Sequence, residues 1–348
     1  YPNYYLQNCE ACHDPKQPQG TVYLTKPGAN SCGGCHADID FANGVGHPKQ
    51  TNDSECAKCH IPDSGQEFDA SVKGAHVLPL ESKQLKGLKA EILSVTNTAP
   101  GQNPTVTFRL YDSTGNLDPK PFGSNANVLL AGPTTDYATW PNVRESVSTA
   151  TFDGTKAVYT MKWKVPADFK GTITYSMDVR RSVTVNGVTF NEGAFNPIFN
   201  AAATGSVVPR RTVVTQSKCL ACHDWLPLHG GQRLAVAECL LCHAPNGDDK
   251  SRRPAGSVPE SVQMARMIHR IHTGEELTQD YTIYGYGGTP YTFNEVLYPG
   301  DRRNCLACHS SQATANLPMP TGTLNVITQR DYFTPQGPGT AACLGCHD

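Results

Sequence analysis

The sequence predicts a multidomain chain in which loop-rich modules with few short helices flank an all-β domain, an antiparallel sandwich or Greek-key barrel. Three observations predict it. The pattern C-x-x-C-H recurs seven times, at Cys9–His13, Cys32–His36, Cys56–His60, Cys219–His223, Cys239–His243, Cys305–His309 and Cys343–His347, and uses all 14 cysteines. Every copy lies in residues 1–83 or 212–348, and residues 84–211 contain neither cysteine nor histidine. That middle stretch instead alternates β-branched and polar residues in short runs bounded by turn residues.

C-x-x-C-H is the signature of covalent c-type haem attachment. The two thiols add across the haem vinyl groups, and the adjacent imidazole meets the iron from the proximal side. Zinc knuckles and redox dithiols also use C-x-x-C, but neither requires a histidine after the second cysteine. With 12 histidines in 348 residues, seven chance placements have a probability on the order of one in ten billion. The flanking segments therefore read as multihaem c-type cytochrome modules carrying seven covalently bound haem c groups. The attachment residues are Cys9, Cys12, Cys32, Cys35, Cys56, Cys59, Cys219, Cys222, Cys239, Cys242, Cys305, Cys308, Cys343 and Cys346. The proximal ligands are His13, His36, His60, His223, His243, His309 and His347.

Composition agrees. Hydrophobic residues make up 38% of the chain, thin for its length, and the macrocycles supply the missing apolar core. The formal charge of -2 becomes distinctly acidic once two propionates per haem are added. No basic stripe points to nucleic acid, and no apolar run approaches a membrane span. Haem attachment belongs to an oxidising compartment, so the chain is expected to be exported through the periplasm to the outer cell surface or beyond. It begins at Tyr1 rather than Met, which reads as a leader already removed. With every cysteine committed to haem, none is expected for a disulfide or a lipid anchor.

Residues 1–83 are expected to form a three-haem module. Its motifs are joined by short tethers rich in Pro, Gly, Asn and Asp, with a helical turn at each motif. Residues 84–211 form the β domain, with strands expected over 89–96, 105–112, 128–131, 157–165, 172–180 and 182–190 and turn signals such as Asn186-Gly187. Its expected role is a scaffold. Residues 212–348 form a four-haem module interrupted by one helix over 259–272, with Pro259 and Glu260 in its first turn and Gly274 beyond its end. His269 and His272, three apart, emerge on one surface of that helix.

Seven irons need seven distal ligands if all are six-coordinate. Five histidines remain outside the motifs, namely His47, His76, His229, His269 and His272, and each is a candidate distal ligand. At least two irons need another group. Met319 in a Pro-rich loop, water, the Tyr1 amine, a small exogenous molecule or residues outside this sequence are the candidates. Met264 and Met267 read as helix packing, and Met161 and Met177 as strand residues.

Several segments resemble the multihaem outer-surface cytochromes of metal-reducing bacteria, the OmcA/MtrC family. They include Cys219–His223 followed by Leu228-His229-Gly230-Gly231, then Met267-Ile268-His269-Arg270-Ile271-His272-Thr273-Gly274-Glu275-Glu276-Leu277, and Tyr298-Pro299-Gly300-Asp301-Arg302-Arg303-Asn304-Cys305. Further likeness lies in Asp331-Tyr332-Phe333, in Gly337–Cys343, and in the β segment Ala131-Gly132-Pro133-Thr134-Thr135-Asp136-Tyr137. The resemblance implies β domains alternating with haem domains, bis-histidine haems, and electron delivery to minerals, shuttles or partner cytochromes. It also supports His229, His269 and His272 as distal ligands. The chain departs from the family pattern in having seven motifs, one β domain and no anchoring cysteine.

The function expected is an extracellular electron conduit, a carrier rather than a substrate-converting enzyme, passing electrons to other cytochromes or external acceptors. Motifs near both chain ends raise the further expectation of end-to-end homopolymers, a filament. The alternative is a multihaem reductase of a small oxyanion at an open iron position, motivated by the ligand shortage.

Overall fold

The computed structural model describes residues 9–11, 13–137, 143–310, 321–324 and 337–347. They fall into two compact units. One takes the described part of Tyr1–Lys86 with Ser182–Phe190 and Cys222–Asp224; the other takes the described part of Gly87–Arg181, Asn191–Ala221 and Trp225–Asp348.

The larger unit is built on two antiparallel sheets. The first joins β1 (Lys89–Thr96), β2 (Thr105–Asp112), β7 (Ala157–Thr160) and β6 (Thr151–Phe152) in that order, with β3 (Gly115–Leu117) also pairing β2. The second joins β10 (Ile198–Ala202), β8 (Thr172–Val185), β4 (Ala126–Ala131) and β5 (Val143–Ser146), with β9 (Val188–Gly193) on β8. Strand alternation sets the packing. Val106, Phe108 and Leu110 of β2 point inward, and Ala126, Val128 and Leu130 of β4 meet Ile173, Tyr175, Met177 and Val179 of β8 in one core. This is the all-β sandwich that the alternating runs predict. Met177 is a strand residue of β8 as expected, whereas Met161 lies just beyond the end of β7; both are in that core.

β4 is buried on both faces. Its outward Leu129 and Ala131 pack with Tyr137, Leu241 and Ala244, so the helix Val236–Cys242, which carries a C-x-x-C pair, lies against the back of the sheet.

Three expected elements differ. The run 157–165 is a strand only over Ala157–Thr160, and the chain then leaves the sheet. The run 182–190 is not one strand. Asn186 and Gly187 both have positive φ, 49° and 75°, the type I′ geometry that closes a two-residue hairpin, so β8 runs through to Val185 and β9 returns from Val188. The helix expected from Pro259 begins at Met264 instead. Glu260 is drawn into a buried ion pair with Arg266, and Ser261 bridges to Asp248, which holds 259–262 out of the helix. Gln263 then caps it by accepting from the Arg266 amide. The helix stops at Gly274, whose φ is +54°.

Among its described residues up to Lys86, the smaller unit has short helical pieces, including Val22–Thr25, Ala29–Gly33, Cys56–Cys59 and Val72–Ala75, joined by turns. Among the described residues up to Lys86, Leu78 is the one buried hydrophobic side chain.

Phe108 is fully buried at the centre of the sandwich, so Phe108→Ala is expected to cost about 3–5 kcal/mol in a denaturant titration of that domain. Arg181 spans Asp112 (2.6 Å) and Glu192 (2.7 Å). Burial alone would raise Asp112, but hydrogen bonds from Thr114 and Arg181 hold its carboxyl at about 2. A carboxyl depressed in the folded state stabilises above its ordinary range and loses that contribution as pH falls toward about 2. Acid unfolding of the β domain is expected to lose this component in Asp112→Asn, read by circular dichroism.

Candidate functional site

Six motifs share one local structure. The histidine amide donates to the carbonyl of the first cysteine, four residues back: His13 to Cys9 (2.7 Å), His36 to Cys32 (2.8 Å), His60 to Cys56 (2.9 Å), His243 to Cys239 (2.9 Å), His309 to Cys305 (2.8 Å) and His347 to Cys343 (3.0 Å). This single helical turn puts two thiols, three residues apart, on one side and ends on an imidazole. The seventh copy begins at Cys219, the last residue of the helix Gln216–Cys219, and its His223 is half-buried. Every described cysteine is free of disulfide bonding. Cys12 lies outside the described residues, as do Met319 and the Tyr1 amine.

Four spare histidines face motif histidines. Ring centroids are 6.3 Å apart for His36 and His76, 5.9 Å for His47 and His60, 6.0 Å for His229 and His243, and 6.0 Å for His269 and His309. With an imidazole nitrogen roughly 2 Å from a metal and about 1 Å from its own ring centre, two coaxial imidazoles on one metal have centroids about 6 Å apart. The fifth spare, His272, meets Tyr298 edge-on at 5.7 Å, and the motif residue His13 meets Tyr23 at 5.1 Å.

Backbone carbonyls orient these rings. Nδ1 lies on Pro48 O for His47 (2.7 Å), Ala70 O for His60 (2.8 Å), Val72 O for His76 (2.6 Å), Val262 O for His243 (2.7 Å) and Ile268 O for His272 (2.8 Å). A carbonyl only accepts, so Nδ1 carries the proton and donates, leaving Nε2 with its lone pair free for a metal. Charge is tuned the same way. Desolvation lowers His243, His269 and His309, and desolvation with help from Arg233 and His243 pulls His229 to about 4. These four are neutral imidazoles at physiological pH, the form that ligates.

The residues fit a haem. Leu220 and Leu306, each between the two cysteines of its motif, are left exposed, an apolar surface that a macrocycle would cover. Among the described residues up to Lys86, which hold the first three motifs, Leu78 is the one buried hydrophobic side chain. Among the described residues no three His, Cys, Asp or Glu side chains converge on a shared metal position. The imidazoles come in twos, as a planar group between them requires, rather than in zinc-like fours. The orienting carbonyls were illegible in sequence because any residue type supplies one.

Thiol turns ending in histidine, backed by oriented imidazole pairs, define a multihaem c-type cytochrome. Comparison narrows the class. Residues 211–348 match the family described as outer membrane cytochrome MtrC/MtrF-like, domains II/IV, and residues 6–41 match a doubled CXXCH motif. A 60-residue stretch is 38% identical to the multiheme cytochrome MtrC of Shewanella baltica (strain OS185), 17% of this chain and 9% of that protein. The fold matches the crystal structure of MtrC from Shewanella baltica OS185 with TM-score 0.60 and 17% identity, over 98% of this chain and 58% of that one. The crystal structure of the decaheme cytochrome OmcA is similar at TM-score 0.48 and 20% identity, covering 76% of this chain and 44% of that one. These matches support an OmcA/MtrC-family multihaem cytochrome, carried by the MtrC/MtrF-like domain of residues 211–348, and the chain spans less than two thirds of the length of these relatives.

If haem supplies the missing core, replacing Cys9, Cys12, Cys32, Cys35, Cys56 and Cys59 by serine should unfold residues 13–86 while the sandwich persists. Amide hydrogen exchange is expected to lose protection throughout 13–86 and to keep it in β1, β2, β4 and β8; retained protection in both would refute the dependence.

Proposed function

We propose that the chain is an electron conduit at the outer cell surface, reached by export, which relays electrons among seven covalently held haems to partner cytochromes or extracellular acceptors. The observation that carries this reading is the set of four imidazole pairs with centroids 5.9–6.3 Å apart. A haem iron bound by both histidines of such a pair would offer no free position to a substrate, and the chemistry it would supply is one-electron transfer. When bound, haem supplies the Fe(III)/Fe(II) couple. The protein does the rest. In this reading the 14 motif cysteines fix each macrocycle covalently, and the seven motif histidines are proximal ligands. His76 stands opposite His36, His47 opposite His60, His229 opposite His243 and His269 opposite His309 as distal ligands. His272, with Nδ1 tied to Ile268 O, is the fifth. Carbonyl anchors hold the rings of His47, His60, His76, His243 and His272 in orientation, so these ligands would move little as a bound haem gained or lost an electron. We assign residues 1–83 to a three-haem module, 84–211 to the β scaffold and 212–348 to a four-haem module.

The intact holoprotein is expected to weigh seven haems more than its polypeptide by mass spectrometry. Electron paramagnetic resonance should show a majority of low-spin haems. His76→Ala, His47→Ala, His229→Ala and His269→Ala should each turn one further haem high-spin without changing the mass beyond the substitution. Rapid reduction of every haem from a single external donor, with no turnover of nitrite or hydroxylamine, is expected of a conduit. Steady turnover of either substrate would favour a reductase instead.

A further inference from the structure

Behind the Cys239–His243 motif lies a polar network that haem binding does not itself require. Ser176 and Asp178, two apart and so on one face of β8, are both fully buried. Asp178 is saturated. Asn127 donates to its Oδ1 at 2.9 Å, Arg144 to Oδ2 at 3.0 Å and Oδ1 at 3.2 Å, and Arg233 to Oδ2 at 3.4 Å.

Glu238, on the helix Val236–Cys242, faces the same strand and is also fully buried. It is poorly served. Oε2 accepts one hydrogen bond, from Ser176 Oγ at 2.5 Å. Oε1 has no hydrogen-bond partner, and Arg233 Nε, likewise without one, stands 3.9 Å away. Two carboxylates thus share this enclosure with Arg144 and Arg233, and Asp178 holds the close contacts with both arginines.

A buried carboxylate with one hydrogen-bond donor, its nearest cation 3.9 Å away and shared with a second carboxylate, favours its neutral acid. Burial is the main cause that lifts Glu238 to about 8; the charge of Asp178 adds to it, and Ser176, Arg233 and Arg144 oppose it. Glu238 directly precedes Cys239, so its charge sits beside the macrocycle that cysteine carries. In so dry a place a negative charge strongly opposes the arrival of an electron.

We propose that Glu238 is a redox-linked proton site, taking up a proton when an electron reaches the haem of Cys239–His243 and releasing it when the electron leaves. This rests on the conduit reading. The electron comes from a neighbouring haem and the proton from solvent. Only the carboxyl O–H bond forms and breaks. Arg233 stands 3.9 Å from this carboxylate, and its side chain is partly exposed to the solvent that supplies the proton.

The sign follows. The carboxylate favours oxidised haem and the acid favours reduced haem, so the potential of this haem falls as pH rises through the titration of Glu238. The test is a redox titration of the holoprotein between about pH 6 and 10, resolved haem by haem through the haem methyl resonances, in wild type and in Glu238→Gln. In wild type one haem is expected to show the fall. In Glu238→Gln that haem should hold the wild type's low-pH potential throughout. Ser176→Ala, which removes the one hydrogen bond favouring the carboxylate, should move the fall to higher pH. An unchanged fall in Glu238→Gln overturns the proposal and assigns the proton to a haem propionate. If Glu238→Gln does not load haem, Ser176→Ala decides: a shifted fall supports Glu238 and an unmoved one overturns it. A wild-type mass short of the expected haems would count against the conduit reading, separately from the proton site.

Discussion

Two imidazoles that share one metal must stand about 6 Å apart, be neutral and present Nε2. Much of this chain follows from that demand. A histidine on a flexible loop meets it poorly, because its ring is free to rotate and to protonate. Here a backbone carbonyl takes the Nδ1 proton of His47, His60, His76, His243 and His272, which fixes tautomer and orientation in one contact. No long helix or sheet is needed for it. Loops and single turns suffice, and among the described residues up to Lys86, which hold the first three motifs, there is little regular structure and one buried hydrophobic side chain.

The motifs were legible because covalent attachment demands fixed residue types at fixed spacing. β1 and β2 were legible to the residue because one face of each strand packs and the other does not, as the alternation of Val106, Phe108 and Leu110 with polar neighbours shows. Elsewhere local pattern lost to tertiary context. The run 182–190 alternates well as a strand, yet Asn186-Gly187 inside it reverses the chain. Pro259 and Glu260 look like a helix start, yet the buried bond of Glu260 to Arg266 rewards an extended approach instead. β5, β6 and β10 are short or half-covered and carry little periodic signal. The pairing of His36 with His76 was hidden for another reason: sequence marks which histidines are spare, while the fold decides which ring each one faces.

The β domain carries no motif, yet its sheet is not indifferent to the haem-binding part of its own unit. One face of β8 closes the sandwich with Ile173, Tyr175, Met177 and Val179, and the other presents Thr174, Ser176 and Asp178, all buried. Burying such groups is costly unless each finds a partner. Tyr137 bonds Thr174 at 2.9 Å, and Arg144, Asn127 and Arg233 surround Asp178. Leu129 and Ala131 of β4 supply apolar contact to Leu241. A hydrophobic face alone would let the helix Val236–Cys242 slide; directed bonds from the sheet fix its register.

That register propagates. The helix ends at His243, whose ring is held by Val262 O and whose carbonyl accepts from the Met264 amide at 3.0 Å. Met264 opens the helix that bears His269 and His272, and His269 faces His309. At the far end of the same helix, Thr273 Oγ1 meets Gly345 O and Cys346 Sγ, each at 3.3 Å. One hydrogen-bonded path thus runs from the sheet through the motif at Cys239 to that at Cys343, and it carries His269 to face His309 of the motif at Cys305. Transfer between redox centres depends on fixed spacing, and covalent attachment alone fixes each centre only to its own turn. The sandwich, through Ser176, Asp178 and the helix it clamps, provides the common reference that separate thiol turns lack.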